Sequence, residues 1–280
     1  MQKAIQIPYN DLFKLKCECA AEAGFRHIAV NFNPLMGKTE DEWKQITEEI
    51  QGVLAETNLQ CVQSHLCEYD LLSSSEIEDE DRYFGIRQSI IASGKLGAEY
   101  GVFHPRTSIS SGYRSSKSLE DNKALLGRML ECAYQQNVSI AVENIPIFSL
   151  DNKMLPFFSS NFEDLAALVD SVSDERVVIC WDFGHANLMA WKQSCAIGFL
   201  GSRIRCTHIH NNFGGRDDHS TPDIGSIDWK DAMTALAATG FDGPLTLETH
   251  CGYTDAMLLR SFVKHNYACV EILERMMNKN

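Results

Sequence analysis

Short apolar runs alternate with amphipathic stretches along the whole chain. The apolar runs are rich in β-branched and aromatic residues, and there are eight of them: KAIQIP, FRHIAVNF, LQCVQSHL, YGVFHP, SIAVENI, VVICWDF, RCTHIH and PLTLETH. The stretches between them carry apolar residues at helical spacing, and five are clear: DLFKLKCECAAEAG, DEWKQITEEIQGVLAET, SLEDNKALLGRMLECAYQQ, NFEDLAALVDSV and DWKDAMTALAATG. This alternation predicts parallel strands that are connected by helices.

Eight such units favour closure into a (β/α)₈ TIM barrel, an α/β fold. An open doubly wound sheet is the alternative, but no glycine-rich dinucleotide fingerprint follows the first run. The chain has 280 residues, which fits one barrel of about 250 residues. No linker-like tract divides it, so we predict a single domain over residues 1–280. Two polar segments, residues 73–83 and 107–118, are predicted to be loops that cover one face.

Six of the predicted strands end in an acid or a histidine. From the third strand to the eighth, these residues are His65, His104, Glu143, Asp182, His208 and Glu248. The first four are spaced 39 residues apart, as one strand and helix unit per residue would place them. Because the C-terminal ends of barrel strands form one rim that carries the active site, we expect these side chains to converge.

Each of these residues has an ordinary structural explanation when it is taken alone. His65 is explained as a hydrogen-bonded core histidine, and Asp182 as the cap of the next helix. Six acids and imidazoles on one rim are costly to bury unless a cation neutralises them, so the sequence predicts a divalent metal site. Oxygen and nitrogen donors suit Mn²⁺, Mg²⁺, Co²⁺ or Zn²⁺ and do not choose among them.

A second polar cluster follows the seventh strand, within residues 207–229. Asp217 and His219 form an Asp-x-His pair, and Arg216 is suited to hold an anionic or hydroxyl-rich substrate. A solvated polar loop is the alternative explanation for this stretch. His210 shares a strand face with His208, and it is therefore the rival of His208 for the metal.

The composition narrows the classes of molecule that this protein is expected to bind. The formal net charge of -13 argues against a protein that holds DNA or an anionic membrane through a basic face. The N-terminal sequence MQKAIQIPYN lacks a signal-peptide pattern, and no run reaches about 18 apolar residues, so we expect a cytoplasmic protein without membrane contact. The ten scattered cysteines indicate reduced thiols that serve as small hydrophobic residues.

The motifs at the strand ends resemble those of a known family. They are HPR at 104–106, VENIP at 142–146, DFGHAN at 182–187, HIHNNFGGRDDH at 208–219, GSIDW at 225–229 and LETH at 247–250. Together they resemble the xylose isomerase-like TIM barrels, a group that contains sugar phosphate isomerases and epimerases as well as endonuclease IV. The resemblance covers essentially the whole chain and implies the same barrel.

The resemblance also implies roles for the site residues. The central metal tetrad of ketose epimerases would be formed by Glu143, Asp182, His208 and Glu248. The residues expected to contact the substrate are His65, His104, His185 and Arg216. The similarity to endonuclease IV implies additional metal ligands, which are His65, His104, His185, Asp217 and His219. One departure is Asn211, since many relatives carry Asp three residues after the histidine, and it bears on how the ligands are oriented.

We expect sugar chemistry, because WDFGHAN and HIHNN resemble the sugar enzymes more than the nuclease. The hypothesis is a metal-dependent isomerase or epimerase that forms an enediolate, with Glu143 and Glu248 as acid and base. The alternative is a multinuclear metal phosphodiesterase that acts on apurinic-site DNA. The expected partner is a small-molecule sugar or sugar phosphate rather than nucleic acid, and the sequence leaves a homo-oligomer open.

Overall fold

Eight parallel strands close into a barrel, which confirms the predicted fold class. The structure, a computed structural model, describes residues 1–67, 72–73, 80–108, 116–146, 148–150, 153–155 and 157–278. The barrel strands are β1 (Lys3–Pro8), β2 (His27–Asn31), β3 (Gln60–His65), β4 (Tyr100–Phe103), β5 (Ser139–Glu143), β6 (Val177–Asp182), β7 (Ile204–Ile209) and β8 (Leu245–Leu247). Each strand pairs with the next one in sequence, and β8 pairs with β1 to close the ring.

Helices cover the outside of the barrel. They are α1 (Phe13–Ala23), α2 (Glu40–Thr57), α3 (Glu80–Leu96), α4 (Ser116–Gln136), α5 (Phe162–Val172), α6 (Phe183–Leu188), α7 (Gln193–Leu200), α8 (Trp229–Ala238) and α9 (Ala256–Met277). The five helices that the sequence singled out correspond to α1, α2, α4, α5 and α8. Where polar caps are present they fix the helix starts: Thr39, for example, forms a reciprocal capping box with Glu42 at the start of α2.

The two predicted polar loops are partly regular structure. Helix α3 begins at Glu80 and α4 begins at Ser116, so each helix starts inside a segment that was predicted to be a loop. Acidic residues such as Glu80 favour the positive N-terminal end of a helix, and Ile86 and Ile90 then bury one face of α3. Residues 74–79 and 109–115 lie outside the described residues, so the predicted covering role of these segments is not tested.

The alternation of side chains along the strands places small residues inside the barrel and polar residues at its mouth. The residues two positions before Glu143, Asp182, His208 and Glu248 are Ala141, Cys180, Cys206 and Thr246. These four residues are fully buried, and they share the inward face of their strands with the polar residue that follows. Trp181 faces outward instead, and its Nε1 donates to Gln193 Oε1 of α7 at 3.0 Å. This packing fixes the inward direction of Asp182.

The structure describes all ten cysteines. All ten cysteines are free thiols, and eight of them are buried. In the described part of the chain, no helix combines the length and the apolar character that crossing a bilayer requires.

Candidate metal centre and active site

Four polar side chains meet at the centre of the barrel mouth. Glu143, Asp182, His208 and Glu248 each offer a ligand atom, and these atoms all lie within 4.8 Å of one another. His208 Nδ1 lies 3.0 Å from Glu248 Oε2, 3.2 Å from Glu143 Oε1 and 4.0 Å from Asp182 Oδ2. The first three residues are fully buried, and Glu248 is 7% exposed. The structure therefore brings together the four residues that the family resemblance implied as a metal tetrad; we call them the central cluster.

A second cluster, formed by His65, His104 and Glu143, adjoins the first. The Nε2 atoms of the two histidines lie 3.1 Å apart, and His104 Nε2 lies 3.0 Å from Glu143 Oε2. The distance from His65 Nε2 to the same oxygen is 3.8 Å. His65 Nδ1 faces the carbonyl of Leu66 at 3.0 Å, so a proton on Nδ1 makes Nε2 an acceptor. Glu143 thus presents one oxygen to each cluster.

A third cluster, the outer cluster, is formed by His185, His210, Asp217 and His219. Asp217 Oδ2 lies 3.2 Å from His219 Nε2 and 3.4 Å from His185 Nε2. His210 Nε2 lies 3.7 Å from Asp217 Oδ1 and 3.1 Å from Asp182 Oδ1. Asp182 therefore connects the outer cluster to the central one, as Glu143 connects the central cluster to the histidine pair.

His208 and His210 occupy different clusters and are not rivals for one position. His208 faces the central cluster, whereas His210 faces the outer one, and both are fully buried. The imidazole of His210 fits because residue 184 is a glycine: a Cβ there would lie 1.9 Å from His210 Cε1. His210 also stacks on His219, with ring centroids 4.0 Å apart. The sequence pattern raised His210 as an alternative ligand but did not place it among the outer residues.

Several buried atoms at the mouth carry no hydrogen bond. They are Glu143 Oε1, Asp182 Oδ2, Asp217 Oδ1 and both ring nitrogens of His208 and His210. An unpaired buried polar group costs on the order of 1–3 kcal/mol, and a charged one costs more. Glu143 Oε1, Asp182 Oδ2 and His208 Nδ1 face one another in the central cluster, and a divalent cation bound between them would satisfy all three. The residues present therefore fit such an ion, with oxygen and nitrogen donors in the central cluster.

The clusters are electrostatically coupled. Burial raises the pKa of Glu143 and Glu248, but the neighbouring histidines, His208 above all, outweigh it and hold both pKa values well below the usual range. Burial lowers the pKa of His208, but Glu248 and Glu143 raise it well above its usual value. Without metal, the central cluster is therefore an imidazolium between two carboxylates.

In the outer cluster, too, neighbouring charges outweigh the effect of burial on the pKa values. Burial lowers the pKa of His219, and the hydrogen bond with Asp217 together with the charge of Glu248 raises it to about 9. Burial also opposes the charge of Asp217, yet His185 and His219 hold the pKa of that carboxyl far below its usual value. Opposite charges thus alternate across the barrel mouth.

Residues that sequence reasoning did not single out orient these ligands. Asn144 Nδ2 donates to the carbonyl of Asp182 at 2.9 Å, and Asn144 Oδ1 accepts from the backbone N–H of Asp182 at 2.8 Å. His185 Nδ1 donates to the carbonyl of Asn144 at 2.8 Å, which leaves His185 Nε2 facing Asp217. Gln6 Nε2 donates to Glu248 Oε1. Asn144 directly follows Glu143 in the VENIP motif, and that adjacency was the available signal.

Asp182 also begins a helix. Its Oδ1 accepts from the backbone N–H of His185 at 2.6 Å as the N-cap of α6. The capping explanation and the site explanation therefore apply to the same side chain, because the cap directs the carboxylate between the central and outer clusters.

Two predicted residues lie apart from the three clusters. The side chain of Arg216 is 86% exposed and pairs with Asp218, so its predicted contact with substrate stays a prediction. Asn211 does not contact the described ligand atoms: its Nδ2 donates to the carbonyl of Pro222 at 2.7 Å, and its Oδ1 accepts from Asn212 N–H at 2.9 Å. The Asn211 side chain therefore braces the β7–α8 loop.

Known proteins are similar to this chain in sequence and in fold. A profile described as xylose isomerase-like TIM barrel matches residues 17–262. An uncharacterized protein of Sinorhizobium fredii, y4fM, is 25% identical over 269 residues, which cover 86% of this chain and 82% of that protein. An uncharacterized protein of Methanocaldococcus jannaschii, MJ1311, is 28% identical over 167 residues, which cover 58% and 55% of the two chains.

Solved structures with a similar fold include sugar epimerases. A D-tagatose 3-epimerase-like protein has a TM-score of 0.74 at 20% identity and covers 98% of this chain and 99% of its own. D-psicose 3-epimerase, solved in the presence of D-fructose, has a TM-score of 0.74 at 14% identity with the same coverage. L-ribulose 3-epimerase has a TM-score of 0.71 at 18% identity and covers 99% and 96%. Since the family profile spans most of the sequence and the barrel is closed, the chain belongs to the xylose isomerase-like TIM barrel family.

Proposed function

We propose that this protein is a divalent-metal-dependent isomerase or epimerase that acts on a sugar or sugar phosphate. The observation that carries the proposal is the central cluster, whose four buried ligand atoms lie within 4.8 Å of one another. The barrel shared with tagatose, psicose and ribulose 3-epimerases supports the sugar class. Mn²⁺, Mg²⁺, Co²⁺ and Zn²⁺ are the ions that the donors suit.

The proposed division of labour follows from the donors. Glu143, Asp182, His208 and Glu248 would hold the ion. When bound, a divalent cation polarises the substrate carbonyl and offsets the negative charge that develops as the neighbouring carbon loses its proton. His65, His104, His185 and Arg216 are the proposed substrate contacts around this centre.

Glu143 and Glu248 are the proposed proton-transfer pair. Glu143 ends β5 and Glu248 directly follows β8, and they flank His208 Nδ1 at 3.2 and 3.0 Å. The lowered pKa values favour the ionised form of both carboxylates in the metal-free protein, and this is the form that a general base requires. Epimerisation requires one carboxylate to remove a proton and the other, in its protonated form, to return one on the opposite face. Transfer between two adjacent carbons by one carboxylate gives isomerisation.

Deuterium exchange tests this proposal. The metal-loaded protein is incubated in D₂O with a panel of free and phosphorylated ketoses, and NMR follows deuterium at the carbon next to the carbonyl. We expect incorporation with at least one substrate, and a loss of at least about 10²-fold in Glu143→Gln and Glu248→Gln. Glu48→Gln, on the exposed surface of α2, is the matched control and should retain the rate. A metal-loaded protein that exchanges no substrate would contradict the proposal.

A multinuclear metal phosphodiesterase that acts on apurinic-site DNA is the second candidate. It is favoured by the three contiguous clusters, since Glu143 and Asp182 each connect two groups of possible metal ligands. The net charge of -13 weighs against a DNA partner. About one tightly bound ion per chain supports the sugar enzyme. Three ions, together with cleavage of a duplex that contains an abasic site, would support the nuclease instead.

A further inference from the structure

Another group of metal-ligating side chains lies on α9, away from the three clusters. His265 and Cys269 are four residues apart, so they project from one face of the helix. Asp223 reaches them from the β7–α8 loop. Cys269 Sγ lies 3.6 Å from His265 Nε2 and 3.6 Å from Asp223 Oδ1, and His265 Nε2 lies 2.9 Å from Asp223 Oδ1.

These separations are close to those of a tetrahedral zinc site. Zn–N and Zn–O bonds of about 2.0–2.2 Å and Zn–S bonds of about 2.3 Å place neighbouring ligand atoms about 3.3–3.6 Å apart. Both distances from the Cys269 sulfur already match. The shorter distance between His265 and Asp223 is a hydrogen bond, and it need open by only about half an ångström when a metal replaces the proton.

The three side chains differ in exposure, so the group is closed to solvent on one side and open on the other. Cys269 is only 6% exposed, whereas the side chains of His265 and Asp223 are 49% and 50% exposed. An ion can therefore arrive from solvent, bind the two exposed donors and reach the thiol beneath them. The fourth position of a tetrahedral ion would face solvent, where a water molecule can fill it.

We propose that Asp223, His265 and Cys269 form a separate site for a thiophilic divalent ion such as Zn²⁺. Its thiolate distinguishes it chemically from the central cluster, where the donors are carboxylates and imidazole. Asp223 lies four residues after His219 in the same loop, so an ion here ties α9 to the loop that carries Asp217 and His219. The site thereby stabilises the loop that supplies half of the outer cluster.

Cobalt spectroscopy tests this proposal on the full chain. Metal-stripped protein is titrated with Co²⁺ alone, and thiolate bound to cobalt gives a charge-transfer absorption in the near ultraviolet. We expect this band in the unmodified protein and its loss in Cys269→Ser. Cys195→Ser removes an exposed thiol of α7 and should leave the band intact. Because His265 and Asp223 are half-exposed, His265→Gln and Asp223→Asn should fold. Each should weaken Co²⁺ binding at this site at least tenfold.

The experiment must also distinguish a band from Cys269 from a band that arises at the barrel mouth, because Cys180 lies close to Glu143 and His208 there. The double variant Glu143→Gln, Glu248→Gln disables the central cluster and should leave the band unchanged, so the outcome does not depend on the proposed sugar chemistry. The absence of a band would overturn the proposal. So would a band that survives Cys269→Ser and disappears in Cys180→Ser.

Discussion

At the scale of single residues, the barrel mouth depends on carboxylates that face two ways. Glu143 presents Oε1 to His208 and Oε2 to His104, and Asp182 presents Oδ2 to the central cluster and Oδ1 to His210. Each pair of oxygens connects neighbouring clusters without any intervening residue. A change at one of these positions should therefore affect metal binding in two clusters at once.

Gly184→Ala tests the packing of the outer cluster. The added methyl would lie 1.9 Å from His210 Cε1, and the fully buried imidazole has no exit to solvent. We expect a loss of about 1–3 kcal/mol in the free energy of unfolding and at least a tenfold weaker Zn²⁺ affinity in the outer cluster. Denaturant unfolding and Zn²⁺ titration measure the two effects.

Gly198→Ala is the matched control for this substitution. Gly198 lies inside α7, and a Cβ there would meet no atom within 4 Å. The variant should be stabilised by up to about 1 kcal/mol, because alanine is the better helix former. If Gly184→Ala were as stable as this control and bound Zn²⁺ with unchanged affinity, the close approach of residue 184 to His210 would not matter for stability or for metal binding.

The charge of His219 predicts a pH dependence in the metal-free protein. Its folded pKa of about 9 lies above the unfolded value of about 6.5, because burial, which lowers the pKa, is outweighed by the hydrogen bond with Asp217 and the charge of Glu248. A raised pKa stabilises the fold fully below the unfolded pKa, and this contribution is lost as the pH rises through 9. Denaturant unfolding at pH 6.5 and 9.5 measures it.

The comparison with His219→Gln isolates this contribution from other titrating groups. The advantage of the unmodified protein over the variant should shrink by on the order of 2–3 kcal/mol between the two pH values. A saturating metal replaces the proton and should remove that trend. An advantage of equal size at pH 6.5 and 9.5 would show that His219 is not charged in the folded state.

At the scale of elements, the strand ends were predictable and the loop that follows β7 was not. Period-two alternation fixes which face of a strand is inward, so Glu143, Asp182 and His208 were expected to meet once eight strands were counted. The loop has no period. Whether His210 faces the central cluster or Asp217 depends on Gly184, which lies on a different element and 26 residues earlier.

Four helices could not be predicted from the sequence either. They are α3, α6, α7 and α9. These four helices do not stand out in the sequence pattern, and the charged first residues of α3 favour a loop. Tertiary packing of Ile86 and Ile90 decides that helix more than local polarity does. The barrel could therefore be predicted from strand count alone, whereas the helix starts and the loop contacts required the folded chain.

Asn211→Asp tests the brace of the β7–α8 loop. The carboxylate cannot donate to the carbonyl of Pro222, which Asn211 Nδ2 contacts at 2.7 Å in a fully buried position. We expect a loss of about 1–3 kcal/mol in the free energy of unfolding and faster hydrogen exchange around His219. Asn137→Asp is the control, because Asn137 only accepts a bond from Arg176, and a carboxylate accepts that bond equally well. Equal stability of the two variants would contradict the brace.

At the scale of the whole molecule, the barrel mouth exchanges protons for metal. The pKa values of His208 and His185 are lowered by burial but raised well above their usual range by the surrounding carboxylates, so both are protonated at pH 7 without metal. A histidine must lose its proton to bind an ion through the nitrogen that carries it, so metal binding should release protons and strengthen as the pH rises. Metal affinity therefore depends on the charges of all the residues that surround the ion.

Calorimetry measures the exchange directly. Mn²⁺ is titrated into the metal-free protein at pH 7 in two buffers of different ionisation enthalpy, and the difference in heat gives the number of protons released. We expect at least one proton per central ion, and fewer in His208→Asn. An ion present at 100 times its Kd should add about 2.7 kcal/mol to the free energy of unfolding. Heats that do not depend on the buffer would mean that the imidazoles are neutral before the ion arrives, and the charge alternation described for the mouth would then be wrong.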